Sequence, residues 1–298
     1  MSSRGVMRGM IRPMSGDLVV RLMRREEVDD LVDWAAAEGW NPGLHDAEIF
    51  WATDPEGFVA AEVDGELVGG GSIVSYGGRF GFMGFFIVAP PHRGRGLGRR
   101  LWERRKQALL ARLDPGAAIG MDGVLEMQPF YARGGFAPAG KDVRFEGVGA
   151  AAAPARGLLD AREVRLEALL AYDAAHFPAP RATFVERWIA QPGGRALAAV
   201  EGDEVRGYGV IRPCRRGFKV GPLFAADAGV AEELLDGLGA LAPGEPLFLD
   251  APEANPAAVA LARRRGMRQV FACARMYLGP APDLPDDEIF GVTTFELG

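Results

Sequence analysis

Cysteine is almost missing from this chain: 298 residues carry two, Cys214 and Cys273, far apart and in no metal-ligand or redox spacing. That excludes a disulfide scaffold and a thiolate metal site, and it leads us to expect a reducing cytoplasm and no bound metal. Long apolar runs are missing too. The longest, residues 80–88, is far shorter than the roughly 20 residues a helix needs to cross a bilayer, so no membrane association is expected. Net positive charge is absent, the formal value being -6, which opposes non-specific attraction to nucleic acid or anionic lipid. No Gly-Lys pair is followed by Ser or Thr, which removes the nucleotide P-loop.

What is present is the mixture of an ordinary folding chain, 48% apolar and 25% charged. Its length suggests two globular units. Residues 1–16 carry Arg4, Arg8 and Arg12 without an acid or an apolar stretch until Asp17 and read as a flexible leader, an organelle transit peptide being the alternative. Residues 18–23 alternate as a strand, and residues 25–38 have helical spacing with Val28, Leu31, Val32 and Ala35 on one side. Residues 58–63 and 67–76 read as strands joined at Asp64-Gly65, a hairpin signal whose turn needs positive φ at both central residues. The apolar run 80–88 predicts a strand buried on both faces, ended by Pro90-Pro91. Residues 97–113 turn helical and stop at Asp114-Pro115-Gly116. A strand at 117–121, a helix at 126–133 and a strand at 143–148 complete an α/β unit with a mixed sheet.

The Ala-rich, unpatterned stretch 150–157 places a linker between a first domain, 17–149, and a second, 158–298. In the second, helices are expected at 162–174, 183–189, 231–241 and 256–265, and strands at 196–200, 205–211, 218–224 and 246–249. This order repeats the first half. At an offset of 131, Tyr131-Ala132-Arg133-Gly134-Gly135-Phe136 falls on Ala262-Arg263-Arg264-Arg265-Gly266-Met267, and at an offset of 136, residues 86–89 fall on 222–225, which points to an internal duplication.

Chemistry concentrates at Arg93-Gly94-Arg95-Gly96-Leu97-Gly98-Arg99. Seven Arg or Lys and one acid, Glu103, fall between His92 and Lys106, which alone describes a solvated helix face. The glycines change that reading. They stand between a buried strand and an amphipathic helix, where a helix start offers unbonded N–H groups and partial positive charge to a phosphate. Arg93, Arg95 and Arg99 would each add a charge-assisted bond of about 1.5 to 3 kcal/mol. The dinucleotide fingerprint is excluded because Arg99 stands where its last small residue belongs.

The stretch Val88-Ala89-Pro90-Pro91-His92-Arg93-Gly94-Arg95-Gly96-Leu97-Gly98 resembles the motif of the GNAT (GCN5-related N-acetyltransferase) superfamily, with its Arg-x-x-Gly-x-Gly core at Arg93, Gly96 and Gly98. Phe130-Tyr131-Ala132-Arg133-Gly134-Gly135-Phe136 is similar to the family's later helix. With the stretch Gly291-Val292-Thr293-Thr294-Phe295-Glu296-Leu297, the chain resembles bacterial tandem GNAT proteins whose second domain is divergent. The resemblance implies two tandem GNAT-like domains, each a mixed, mostly antiparallel sheet flanked by helices. It also implies acetyl-CoA as co-substrate, held by the Arg93–Arg99 loop and by backbone at Ile87 and Val88, and Tyr131 as the catalytic group meeting the departing sulfur. One cofactor site is expected, because the second half has Ala226-Asp227-Ala228-Gly229 at the loop position, where an acid would repel phosphate. The Asn the family often places seven residues before its Tyr is Val124 here; the second half has Asn255 before Ala262.

The expected activity is N-acetylation of a primary amine on a small molecule or peptide, and the alternative is a non-catalytic protein that senses acyl-CoA or a metabolite. A nucleic-acid-binding domain on the basic helix is disfavoured by overall acidity and a missing aromatic platform. No cysteine lies in the first half to carry an acyl group, so direct attack is expected. An alkylamine near pKa 10.4 costs about 5 kcal/mol to deprotonate at pH 7, yet residues 80–88 hold no carboxylate. Asp122, Glu126, His45 and Glu48 are the candidate bases, none preferred; Asp122-Gly123 also reads as a turn and His45 as a surface residue. The second half is expected to wall the acceptor pocket, giving a monomer built as a pseudo-dimer, or a weak homodimer.

Overall fold

Apolar spacing settles the first elements. β1 (Val19–Leu22) leads into α1 (Arg25–Ala37), whose Val28, Leu31, Val32 and Ala35 are all buried. Glu27, three residues after Arg24, accepts its N–H at 2.8 Å and secures the helix start. α2 (Asp46–Thr53), β2 (Phe58–Val63) and β3 (Glu66–Ser72) follow. Between the last two, Asp64 and Gly65 have φ of 53° and 80°, the hairpin the dipeptide demands. The computed structural model describes residues 17–150 and 157–298; the expected leader and most of the expected linker lie outside the described residues.

Two expected strands each divide. Residues 67–76 form β3 and the separate β4 (Val74–Tyr76), and residues 80–88 form β5 (Phe80–Phe82) and β6 (Ile87–Val88). The cause is a change of sheet. β6 joins β1, β2 and β3 in a four-stranded sheet ordered β1-β2-β3-β6, whereas β4 and β5 begin a larger one. Unbroken apolarity reports burial but not which neighbour a strand pairs with. At the break, Phe85 takes a φ of 50°, rare for a bulky residue.

The first half continues with α3 (Leu97–Leu110), β7 (Ala118–Val124), α4 (Gln128–Arg133) and β8 (Ala137–Val148). Asp122-Gly123 lies inside β7 and is no turn. The second half runs β9 (Leu158–Asp160), α5 (Leu166–Ala175), α6 (Ala182–Ile189), β10 (Arg195–Glu201), β11 (Glu204–Pro213), β12 (Phe218–Ala225), α7 (Ala228–Gly239), β13 (Pro246–Pro252), α8 (Pro256–Arg264), β14 (Arg268–Leu278) and β15 (Ile289–Gly291). α2, β9, β14 and β15 have no counterpart in the sequence reading, and β8 starts six residues earlier than expected. The duplication is visible in backbone detail. Gly135 and Gly266 both have positive φ, and the bonds Gly135 N to Ala132 O and Phe136 N to Tyr131 O recur, 131 residues on, as Gly266 N to Arg263 O and Met267 N to Ala262 O.

The larger sheet runs β4-β5-β7-β14-β8-β13-β12-β11-β10-β9, with β15 beside β12. Its pairings are antiparallel except β5–β7 and β12–β13. The halves exchange their last long strands: β14 of the second half lies between β7 and β8 of the first, and β8 lies between β14 and β13. Bidentate ion pairs cross this junction, Arg275 to Asp122 at 2.7 and 2.8 Å and Arg144 to Asp250 at 2.6 and 2.7 Å. One apolar cluster also spans both halves, with Phe50 of α2 stacked on Trp188 of α6 at 6.0 Å between centroids. The two units share a core and a sheet, unlike domains that touch through a polar interface.

Candidate active site

At the start of α3, Gly94 and Gly96 take φ of 75° and 77°, left-handed values that cost a glycine nothing. The chain there leaves the amides of Leu97, Gly98 and Arg99 without an intrahelical acceptor, and no side chain caps them. The equivalent helix of the second half differs in kind. Asp227 accepts from the N–H groups of Gly229 and Val230 at 2.8 and 3.0 Å, so a carboxylate sits where a phosphate would. Arg93 is exposed but already bonded, its Nε donating to Val88 O at 2.8 Å and its Nη2 pairing with Glu38. Arg99 pairs with Glu103 one turn on, and Arg95 is exposed with no ion pair among the described residues. Such uncapped amides beside an open guanidinium fit a diphosphate.

β6 supplies the next feature. It pairs with β3 on one side, with Gly69 opposite Val88, and Ala89 N donates to Val68 O. By the alternation of an antiparallel ladder, Val88 then points its N–H and C=O away from β3. β5 has paired with β7, but β6 has not, so a cleft opens between β6 and β7.

A cavity of about 430 Å³ occupies that cleft. Of the expected site residues, Ile87, Val88, Arg93, Gly94, Gly98, Arg99 and Tyr131 line it, whereas Arg95 and Gly96 in the preceding turn and Leu97 at the first position of α3 do not. Tyr131 is 4% exposed on α4, and burial pushes its phenol up to about 12 against the opposing pull of Arg105. Arg105 is itself buried under the cleft, its Nη2 donating to the carbonyls of Ser72 and Gly84, with no carboxylate partner among the described residues.

Among the candidate bases, Asp122 lines the cavity, but both its oxygens bind Arg275. Burial pushes its carboxyl up, and nearby Asp142 adds to the push while Arg275 resists it. Glu126 and Glu48 are exposed, His45 stands at the start of α2, and none of the three lines the cavity. The other side of the cavity is built by groups that no local pattern marks: Trp40 from the loop after α1, Phe271 and Cys273 on β14, and Phe295 and Glu296 beyond β15. Burial pushes the Cys273 thiol far above its ordinary range. A thiol held protonated is a poor acyl carrier, and direct attack stays the simpler chemistry. Among the described residues no group of His, Cys, Asp and Glu is placed to hold a metal ion, and no helix is long and apolar enough to cross a membrane.

Residues 24–136 match the family described as acetyltransferase (GNAT) family, and residues 169–291 match a second description, acetyltransferase (GNAT) domain. The chain belongs to the GNAT superfamily, as an acyltransferase enzyme with two such domains in tandem. It is 29% identical over 275 residues to the holothin acyltransferase of Pseudoalteromonas sp. (strain SANK 73390), covering 92% of each chain. Its fold is similar to that of a protein from Pyrococcus horikoshii assigned as an acetyltransferase, at 23% identity and a TM-score of 0.80 over 94% of this chain and 96% of the other. It is also similar to a tandem GNAT protein from the clavulanic acid biosynthesis pathway, at 15% identity and a TM-score of 0.60 over 89% of this chain and all of that one. Acetyl-CoA is the co-substrate of the family.

Proposed function

We propose that this chain moves an acetyl group from acetyl-CoA directly to a primary amine of a small-molecule acceptor, using the single site of its first half. The observation that carries the reading is the uncapped, glycine-lined start of α3 opening onto the same cavity as Tyr131. The diphosphate would lie against the amides of Leu97, Gly98 and Arg99 and the guanidinium of Arg95, and the pantetheine arm would accept from the N–H of Val88, whose C=O already accepts from Arg93. A Tyr near pKa 12 is weaker than a thiol near 8.5 by about 5 kcal/mol of proton transfer. In this reading Tyr131 steadies the departing sulfur with a hydrogen bond and does not hand its proton over completely.

A small acceptor suits a cavity closed on its far side by the second half, and the similarity to an enzyme named for acylating holothin points the same way. The exchanged strands fill the place where a second subunit would complete such a site, which supports a monomeric pseudo-dimer. Calorimetric titration with acetyl-CoA, followed by thiol release against a library of amines, tests the reading. One acetyl-CoA per chain and amine-dependent CoA release are expected; binding without release from any amine would indicate a sensor, and two acetyl-CoA per chain would place a second site in the other half.

A further inference from the structure

Glu296 stands apart from the other acids around the site. Its residue is 3% exposed, it lines the cavity, and Oε2 has no hydrogen-bond partner among the described residues. The other cavity carboxylates are engaged, Asp122 by Arg275 and Glu38 by Arg93. The chain comes this close because of Gly84, where a Cβ would lie 2.1 Å from the Glu296 carbonyl, and because Ser72 Oγ donates to that carbonyl at 3.2 Å. Glu296 therefore sits beside the break between β5 and β6, where the cleft begins.

A buried acid without a bonded cation costs free energy unless a ligand meets it. Four charged groups act on this one: Lys219 from β12, Asp46 from α2, Arg144 from β8 and Arg212 from β11. Arg144 is bound to Asp250 and Arg212 to Asp46, which leaves Lys219 as the leading cationic influence. Burial pushes the Glu296 carboxyl above its ordinary range and Lys219 opposes the shift. An acid whose folded pKa is raised adds stability that is present below its unfolded pKa and lost as pH rises through the folded one, so Glu296 in its ionised form is a burden on the fold.

We infer that Glu296, supplied by the second half, is the catalytic residue that takes the proton from the acceptor's ammonium group, and that the acceptor is a cationic amine carried on an apolar body resting against Trp40, Phe271 and Phe295. The inference rests on the acetyltransferase reading above and names the base which that reading lacks. One N–H proton of the ammonium passes to the Glu296 carboxylate. The freed lone pair forms the C–N bond at the thioester carbonyl, the C–S bond breaks, and a second nitrogen proton ends on the CoA sulfur, with Tyr131 bonded to that sulfur. Amide, CoA thiol and protonated Glu296 result, and the carboxyl returns its proton to solvent.

The test compares wild type with Glu296→Gln, using acetyl-CoA with 2-phenylethylamine, which is protonated at neutral pH, and with aniline, which is not. For 2-phenylethylamine, kcat/KM of the wild type should rise with pH along an acid limb, and the variant should lose about 100-fold or more at pH 7 together with that limb. For aniline the variant should stay within a few-fold of wild type. Its acetyl-CoA affinity should be unchanged by calorimetry and its Tm equal or higher, whereas a carboxylate kept for structure would lower Tm when replaced. Equal losses with both amines, or a retained acid limb, overturn the assignment of Glu296 and leave the acetyltransferase reading standing. Wild-type protein that binds acetyl-CoA but releases no CoA with either amine also overturns this site; failure to bind acetyl-CoA at all overturns the reading beneath it.

Discussion

Tyr131 packs against Trp102 at 5.0 Å between ring centroids and lies over Gly123, where a Cβ would come within 2.3 Å of its ring. In the proposed reaction a ring held this way would be in place before the sulfur arrives, so its hydroxyl would act without reorganisation. Tyr131→Phe keeps the packing and removes only the hydroxyl; kcat should fall about 100-fold with acetyl-CoA affinity unchanged, which thiol release and calorimetry would show. Tyr131 was legible because it sits in one contiguous stretch with Gly134, Gly135 and Phe136. Glu296 and Cys273 were not, because they reach the cavity through tertiary packing and no local spacing marks them. A second residue speaks to stability. Glu27, 3% exposed, is held at about 2, first by its hydrogen bond from Arg21. Its folded value lies below its unfolded one near 4.3, so it stabilises above that pH and the contribution, on the order of 3 kcal/mol, is lost as pH falls toward about 2. In urea titrations Glu27→Gln should be less stable than wild type at pH 6 and should converge with it near pH 2.

The two helices that follow the paired loops differ in the way the proposal of a single cofactor site requires. α7 satisfies its own first turn through Asp227, while α3 has no side-chain cap and, in the proposed function, its first turn would meet the diphosphate. Because Arg93 and Arg99 are already bonded to Glu38 and Glu103, the charge open to a phosphate is that of Arg95. Arg95→Glu should weaken acetyl-CoA binding by 10-fold or more, or about 1.5 kcal/mol, by calorimetry with no change in Tm. Elements that depend on local rules were readable: α1 and α3 from their apolar spacing, the Asp64-Gly65 turn from its backbone demand, the loop from its glycines. The split of residues 80–88 was not, since Phe80 and Ile87 are equally apolar but pair with β7 and β3 in different sheets. β14 escaped for a related reason. Arg268, Gln269 and Arg275 spoil its hydrophobic pattern; the first two are exposed, and Arg275 is met by Asp122 and Asp142 on strands far away in sequence.

Across the whole molecule, exchange of β8 and β14 makes each half a condition for the other. Without the second half, β7 loses its partner from Ile119 to Val124, and Asp122 and Asp142 lose Arg275. A buried acid stripped of its cation costs about 3 to 5 kcal/mol, a large part of the roughly 5 to 15 kcal/mol that separates a folded domain from its unfolded state. The unpaired edge of β7 would also offer itself to other chains. The cavity would at the same time lose Phe271, Cys273, Phe295 and Glu296, that is, one of its sides. A chain ending at Ala150 should therefore elute as aggregate in size-exclusion chromatography and release CoA at less than about 1% of the full-length rate, the scale expected when a catalytic proton acceptor is lost. Co-expression with residues 151–298 should restore a soluble one-to-one complex and most of the activity, because every strand pairing at the junction can form between separate chains. If the short chain is instead monomeric and fully active on the same amine, the second half has no part in acceptor binding and the exchanged strands are only a structural tie.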